Sequence, residues 1–296
     1  MNKTTHLIML ILIADSGSTK SDWLAIDDNG QVLSEFNTMG FNPYFHSSDK
    51  VESELKAKPE MMEIAKKVDK TYFYGAGSSS VEMCDIIKEG LSRVLENSSI
   101  HVGHDLDGAA YSTWSGESCI TCILGTGSNS CYFNGEITHE EVPSLAYILG
   151  DEGSGSWFGK RLLQGFFYKQ LPKHIHDDFI SEFGENETHV NYVNKRVYKG
   201  DVPNVYLASF TKFIGKHKHD PIVKQWLLDG FHAFLSVHVE CYSNFKEVPV
   251  HFIGSVAFHF KDELIEACES RGIRVGNMIK APIDGLAAYH LKYKIS

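Results

Sequence analysis

Asp15-Ser16-Gly17-Ser18-Thr19-Lys20 follows directly on the apolar run Leu7-Ile8-Met9-Leu10-Ile11-Leu12-Ile13-Ala14. That run is far short of the ~20 apolar residues that cross a bilayer, and no A-x-A-like cleavage site follows it. It reads as a buried first strand. A strand that breaks into consecutive small residues leaves backbone N–H groups able to face an anion, and glycine permits φ > 0 or a close approach to phosphate. Ser16, Gly17, Ser18, Thr19 and Lys20 are therefore candidate phosphate ligands, and Asp15 carries a carboxylate of the kind that holds Mg²⁺ through water. An ordinary hairpin turn explains the same residues. The stretch is not a Walker A loop, which needs G-x-x-x-x-G-K-[ST] opening a helix. Nor is it a G-x-G-x-x-G dinucleotide fingerprint, because residues 18–23 continue as strand.

Outward from this turn, residues 21–27 form a second strand, Asp27-Asp28-Asn29-Gly30 is a hairpin signal, and residues 31–37 give a third strand. Residues 49–68 read as helix, with Pro59 breaking it or opening a new first turn. A buried strand over 71–77 ends in glycines, and apolar spacing places a helix over 81–96. A short strand at 100–102 and a helix over 105–114 follow. The opening pattern then recurs: apolar strand 119–124, glycine turn Gly125-Thr126-Gly127-Ser128-Asn129, strand 130–133 and tight turn Asn134-Gly135-Glu136. Internal duplication is the economical reading. Helices are expected over 159–170, 174–183, 205–216, 222–245, 260–270 and 286–293, and a strand over 248–257 ends in a glycine turn at Gly254.

Between the two glycine turns stand Asp105 and Asp107, each readable as a helix cap or as a carboxylate that accepts a proton from an attacking hydroxyl. The tract Leu149-Gly150-Asp151-Glu152-Gly153-Ser154-Gly155-Ser156-Trp157 is dense in glycine and acid. It reads as a plain loop or as a loop that offers carboxylates, amides and a ring to sugar hydroxyls. Asn42, in Met39-Gly40-Phe41-Asn42-Pro43, is a turn residue by default. His174, His176, His217 and His219 read as solvated, and Phe166, Phe167 and Tyr168 as core. Cys119 and Cys122 form a C-x-x-C inside a strand, where positions i and i+3 face opposite sides, so core packing is the reading.

The 296 residues suffice for two ordinary domains, and 43% hydrophobic with 22% charged residues is a globular composition. A net charge of −10 argues against a nucleic-acid surface, which needs clustered Lys and Arg. No Pro- or Ser-rich linker interrupts the chain.

In this order, the elements resemble the sugar kinase–actin–heat-shock chaperone superfamily, and within it the N-acetylglucosamine kinase branch grouped with benzoyl-CoA reductase activator ATPases. Residues 14–20 look like its first phosphate loop and 124–130 like its second. Phe252-Ile253-Gly254-Ser255-Val256 looks like its adenosine motif and 104–110 like its first connecting helix. Gly150-Asp151-Glu152-Gly153-Ser154 is the most branch-specific match. The resemblance implies an α/β chain of two ribonuclease H-like (actin-like ATPase) domains with a central interdomain cleft, over 1–116 and 117–285, the first completed by a C-terminal helix at 286–296. It implies an ATP- and Mg²⁺-dependent kinase for an amino sugar such as N-acetylglucosamine, N-acetylmuramic acid or glucosamine, cytoplasmic and homodimeric, with no nucleic-acid or membrane partner.

Carried over by position, Asp105 becomes the general base and a sugar ligand, with Asp107 as fallback. Asn42, Ser128, Asn129, Gly150 and Asp151 would bind the sugar. Residues 16–20 with Gly125, Thr126, Gly127 and Ser128 would meet ATP phosphates, Gly254 and Ser255 the nucleoside, and Asp15 the metal. Departures are the Asp-Ser-Gly-Ser-Thr loop where many relatives have Asp-Gly-Gly-Gly-Thr, and Asp284 before the glycine that precedes the last helix. The zinc-binding cysteine cluster of bacterial glucokinases and repressors is not found, and no helix-turn-helix is expected ahead of residue 7. The rival readings are an ATPase activator of an iron–sulfur 2-hydroxyacyl-CoA dehydratase or benzoyl-CoA reductase-type enzyme, and a catalytically dead sugar-binding or regulatory protein.

Overall fold

The computed structural model describes residues 8–294. Leu7 of the expected first strand and residues 295–296 of the expected last helix lie outside them. The chain divides into two compact units, one made of the described residues up to Ser115 and from Ala281 on, the other of Gly116–Lys280.

The first unit opens with β1 (Leu10–Ser16), β2 (Lys20–Asp27) and β3 (Val32–Met39) as an antiparallel meander. Helices α1 (Ser48–Lys56) and α2 (Pro59–Ile64) follow, then β4 (Lys70–Gly75), α3 (Val81–Ser92), β5 (Ser99–His104) and α4 (Asp105–Thr113). Strands β4 and β5 run parallel to β1, giving the order β3-β2-β1-β4-β5. The unbroken apolar run of β1 follows from burial on both faces, as for an interior strand. Leu10, Leu12 and Ala14 point into a core with Trp23, Phe41 and Phe73, while Ile11 and Ile13 point into another with Leu24 and Tyr74. Pro59 opens α2 at its first turn, where its missing N–H is harmless. Ser47 and Ser80 cap α1 and α3 by accepting from the Lys50 and Met83 N–H groups.

The second unit repeats the plan. β6 (Cys119–Leu124), β7 (Ser128–Phe133) and the two-residue β8 (Thr138–His139) form the meander. Helices α5 (Ala146–Leu149), α6 (Gly155–Phe167), α7 (Lys173–Thr188), α8 (Val190–Lys199), α9 (Pro203–Ser209), α10 (Thr211–Lys216) and α11 (Pro221–His238) follow. β9 (Val250–Ile253), α12 (Ser255–His259), α13 (Lys261–Glu269) and β10 (Val275–Ile279) complete it, and the sheet order is β10-β9-β6-β7-β8. Both sheets therefore place three antiparallel strands and then two parallel ones in the same spatial sequence, the ribonuclease H-like arrangement. Cys119 and Cys122 are both fully buried, Cys122 in the main core with Phe158, Phe231 and Phe252.

Several expected boundaries are corrected. β7 begins at Ser128, so Ser128 and Asn129 are strand rather than turn. α6 begins at Gly155, four residues earlier than expected, because Ser154 caps it through the Trp157 N–H at 3.2 Å. The expected 205–216 helix is two helices meeting at Phe210. The long helix over 222–245 starts at Pro221 and stops at His238, where Val239 leaves helical geometry and the chain turns back toward β9. β9 ends at Ile253, and the residues after Gly254 are helix, not strand. Tyr168 is exposed, unlike Phe166, and His217 is half-buried against Asp178. Strands β8 and β10 and helices α5 and α8 had no counterpart in the sequence reading. No helix among the described residues is long and apolar enough to cross a membrane.

The chain returns to the first unit as α14 (Ile283–Tyr293), which packs on α4, β1 and β2. The glycine expected ahead of this helix, Gly285, lies inside its first turn, and Asp284 is exposed there. Tyr74 and His290 join across a buried hydrogen bond of 3.0 Å, and burial pushes the His290 imidazole down to about 3. At Gly285 the two helices touch so closely that an added Cβ would lie 2.2 Å from the Ser112 carbonyl oxygen. Gly285→Ala is therefore expected to force α14 off α4 and lower stability by about 1–3 kcal/mol. Denaturant unfolding checks this; an unchanged midpoint would mean the helices separate freely.

Candidate functional site

In the first unit, β1 and β2 meet at the turn of residues 17–20, and its backbone is locked from two sides. Gly17 N–H donates to the Lys20 carbonyl at 3.0 Å, and Gly40 N–H donates to the Thr19 carbonyl at 3.2 Å. Gly40 must be glycine: a Cβ would sit 2.0 Å from the Gly17 carbonyl oxygen. Ser16 is fully buried, its hydroxyl accepting from the Phe41 N–H at 2.9 Å and from the Ser21 hydroxyl at 2.7 Å. Its side chain thus belongs to the frame of the turn. The Ser18 N–H has no partner among the described residues and stays available to an anion. Lys20 is paired with Asp22 at 2.8 Å, so its charge first neutralises that carboxylate, which also accepts from Asn37.

Asp15, the penultimate residue of β1, lies opposite Asp22 and beside Tyr74 of β4. Burial pushes its carboxyl up to about 7, the Asp22 and Asp105 charges add to the shift, and Lys20 opposes it. Asp105 is the first residue of α4, directly after β5, whose last residue pairs with Gly75 of β4. Burial raises the Asp105 carboxyl above the ordinary carboxylate range, and the His104 imidazole, 3.2 Å away, works against the rise. Asp107 lies two residues further along, on another side of the same first turn, half-buried. Asn42 lies two residues past Gly40 in a tight turn, its side-chain oxygen accepting from the Tyr44 N–H at 3.0 Å.

In the second unit the corresponding turn is one residue shorter, three residues between paired Leu124 and Ser128 against four between paired Ser16 and Ser21. Gly125 N–H donates to the Gly127 carbonyl at 3.0 Å, and the Gly127 N–H has no partner among the described residues. The first amides of α6 hold this turn from behind: Gly155 N–H reaches the Gly125 carbonyl at 2.8 Å and Ser156 N–H the Thr126 carbonyl at 3.0 Å. Asp151, 6% exposed, lays its carboxylate against Gly127 and accepts from the Ser128 N–H at 3.1 Å. Burial raises its carboxyl, and that hydrogen bond and Lys160 oppose the rise. The Ser128 hydroxyl donates to the Glu152 carbonyl at 2.8 Å, so both Ser128 donors hold the 151–152 loop. Asn129 is engaged with Glu140 and with the Ser130 N–H. Gly150 caps α5, its N–H donating to the Ala146 carbonyl.

Gly254 joins the same turn. Its φ is +114°, and a Cβ there would lie 2.3 Å from the Leu124 carbonyl oxygen, so only glycine fits. Ser255 follows as the exposed first residue of α12. The second unit thus brings Gly125, Thr126, Gly127, Ser128, Asp151 and Gly254 together. The first unit gathers residues 15–20, Asn42 and Asp105 at the ends of β1, β3, β4 and β5. Gly40 and Gly155, whose close approaches lock the turns, were missed as site residues although both stand inside the quoted stretches 39–43 and 149–157. No group of three or more His, Cys, Asp or Glu among the described residues is placed to hold a metal unaided. A Mg²⁺ ion held by one or two carboxylates and by phosphate oxygens needs no such group, and the hard, charge-crowded carboxylate of Asp15 fits it.

A candidate N-acetylglucosamine kinase from Porphyromonas gingivalis has a solved structure 35% identical in sequence, with a TM-score of 0.90 over 96% of this chain and 99% of that one. A candidate N-acetylglucosamine kinase from Chromobacterium violaceum is 15% identical, with a TM-score of 0.66 over 95% and 99% of the two chains. A ROK family glucokinase from Streptomyces griseus, solved with glucose and AMPPNP, is also 15% identical, with a TM-score of 0.65 over 94% and 98%. These last two share the fold. No family model and no curated protein matches the chain.

The raised Asp15 carboxyl has a measurable consequence. Its affinity for the proton is higher folded, at about 7, than at the ordinary 3.8, so its ionised form lowers stability above pH 7 and has no effect below 3.8. Asp15→Asn is expected to stabilise the ligand-free protein by on the order of 2 kcal/mol at about pH 8, the gain fading as pH falls toward about 4. Denaturant unfolding across that range tests it, and a gain independent of pH would refute the assignment.

Proposed function

Because this chain belongs to the N-acetylglucosamine kinase-like branch of the sugar kinase–actin–heat-shock chaperone superfamily, we propose that it is an ATP-dependent kinase that phosphorylates an amino sugar. The observation that carries the reading is Asp105: a carboxylate whose proton affinity burial raises, opening a helix beside a carboxylate and an anion-ready turn. A base is most effective when its pKa lies near working pH.

The Ser18 and Gly127 N–H groups, with the Thr19 and Thr126 side chains, take the phosphates, and Gly254 and Ser255 take the nucleoside. Asn42 orients the sugar. Asp151 and Gly150 act on it from the 150–153 loop, and Asn129 follows Ser128, which anchors that loop. Asp15 holds Mg²⁺, which when bound neutralises phosphate charge. Asp105 accepts the proton of one sugar hydroxyl as its oxygen bonds to the γ-phosphorus and the bridging P–O bond to ADP breaks. Positioning and charge stabilisation provide most of the rate, as is general in phosphoryl transfer. The protein acts as a cytoplasmic homodimer.

An ATP-consumption assay over N-acetylglucosamine, N-acetylmuramic acid, glucosamine and glucose tests the reading, which fails if no sugar stimulates turnover. Asp105→Asn is expected to lower turnover about 100- to 10,000-fold while calorimetric ATP affinity holds. Full activity in that variant would remove Asp105 from the mechanism and leave Asp107 to be tested.

A further inference from the structure

Within its turn, Asn42 has all but one of its own polar groups engaged. Asn42 N–H donates to His46 Nδ1 at 3.2 Å, and burial lowers the His46 imidazole, which keeps that nitrogen an acceptor. The Asn42 carbonyl accepts from the Phe45 and His46 N–H groups at 3.0 and 2.9 Å. Its side-chain oxygen accepts from the Tyr44 N–H, which fixes which way round the amide lies. Only the Nδ2 amide is left without a partner among the described residues. That group has donors alone, so it can meet only an acceptor oxygen.

Beside it stands a ring with no evident task in the fold. Tyr44 is 65% exposed. One edge of it lies near Gly77, which has a φ of +80° in the turn after β4. A Cβ at Gly77 would lie 2.6 Å from the Asn42 side-chain oxygen and 3.1 Å from Tyr44 Cδ2. The Asn42 amide and the Tyr44 ring edge therefore border the same space beside Gly77. Gly77 lies two residues beyond Gly75, the β4 partner of His104, the residue before Asp105.

A hexopyranose presents a rim of acceptor oxygens around a face of C–H groups, and binding sites for such ligands combine aromatic surface with a few placed polar groups. We propose that Tyr44 is a specificity-determining residue: its ring is the platform for the C–H face of the sugar whose oxygen Asn42 Nδ2 holds. This rests on the sugar-kinase reading above. Phe45 is the internal control, since it is 63% exposed and the side-chain atoms nearest the Gly77 Cβ position belong to Asn42 and Tyr44.

The test compares wild type, Tyr44→Ala, Tyr44→Phe and Phe45→Ala in steady-state kinetics with the best sugar of the panel, together with ligand-observed NMR saturation transfer from protein to sugar. Tyr44→Ala is expected to raise the sugar KM about tenfold or more, with ATP KM and thermal midpoint unchanged. Tyr44→Phe restores the wild-type KM, Phe45→Ala leaves it alone, and saturation transfer to the sugar C–H protons drops only in Tyr44→Ala. An active wild type whose sugar KM ignores Tyr44→Ala, or rises equally in Phe45→Ala, would overturn the platform and leave the kinase standing. A wild type that neither consumes ATP with any sugar nor transfers saturation would overturn both.

Discussion

The contact of Gly40 with the Gly17 carbonyl oxygen, where no methyl group fits, is the constraint on which the first unit's site depends. Because the backbones touch there, the end of β3 donates a hydrogen bond into the β1–β2 turn, and the next residue, Phe41, clamps the hydroxyl of Ser16. Phe41 is itself buried with Trp23 and Phe73, so the turn is tied to the core through one side chain. Asn42 then emerges at a fixed place beside the turn. A site built this way presents its donors already ordered, and little freedom is lost when a ligand arrives.

The second unit solves the same problem with different chemistry. Its turn is held by two amides at the start of α6 and by a carboxylate laid against Gly127. The arrangement has two local costs: Asp151 sits at a φ of +59°, which a side chain rarely adopts, and its charge is buried. Asp is among the few residues that tolerate that conformation. What the duplication preserves is the sheet order and the place of the glycine turn, while turn length and bracing have diverged.

The strands flanking each turn were legible because burial on both faces leaves an unbroken apolar signature, as in residues 10–14 and 119–124. The placement of Pro59 at a new first turn followed from an equally local rule. The misses have a common cause. Val275–Ile279 pairs with β9 through an irregular register at Gly276, where His251 Nδ1 accepts the Asn277 N–H in place of a strand partner, and no local periodicity reports that. The helix ending at His238 is stopped by the route of the chain to β9, since its apolar spacing continues. For the site, residue types and order were readable. Which donors remain available was not, because it depends on Gly40, Gly155 and Glu152 meeting the turns from a distance in sequence.

Their immediate partners also separate the carboxylates. Burial raises both Asp105 and Asp151, so proton affinity alone does not choose between them. Asp151 accepts from the Ser128 N–H, lies within reach of the Ser156 hydroxyl at 3.5 Å and presses on Gly127. A carboxylate engaged on that many sides holds a loop in shape and has little freedom to take up a proton during turnover. Asp105 has the His104 imidazole beside it and backbone amides at the start of its own helix. Those neighbours orient a carboxylate and leave an oxygen able to accept. Asp15 differs again, because like charges at Asp22 and Asp105 add to its burial, and a bound cation relieves that repulsion directly. The same element, a buried acid near a strand end or at a helix start, is thus divided by its immediate partners into the proposed base, a loop brace and the proposed cation ligand.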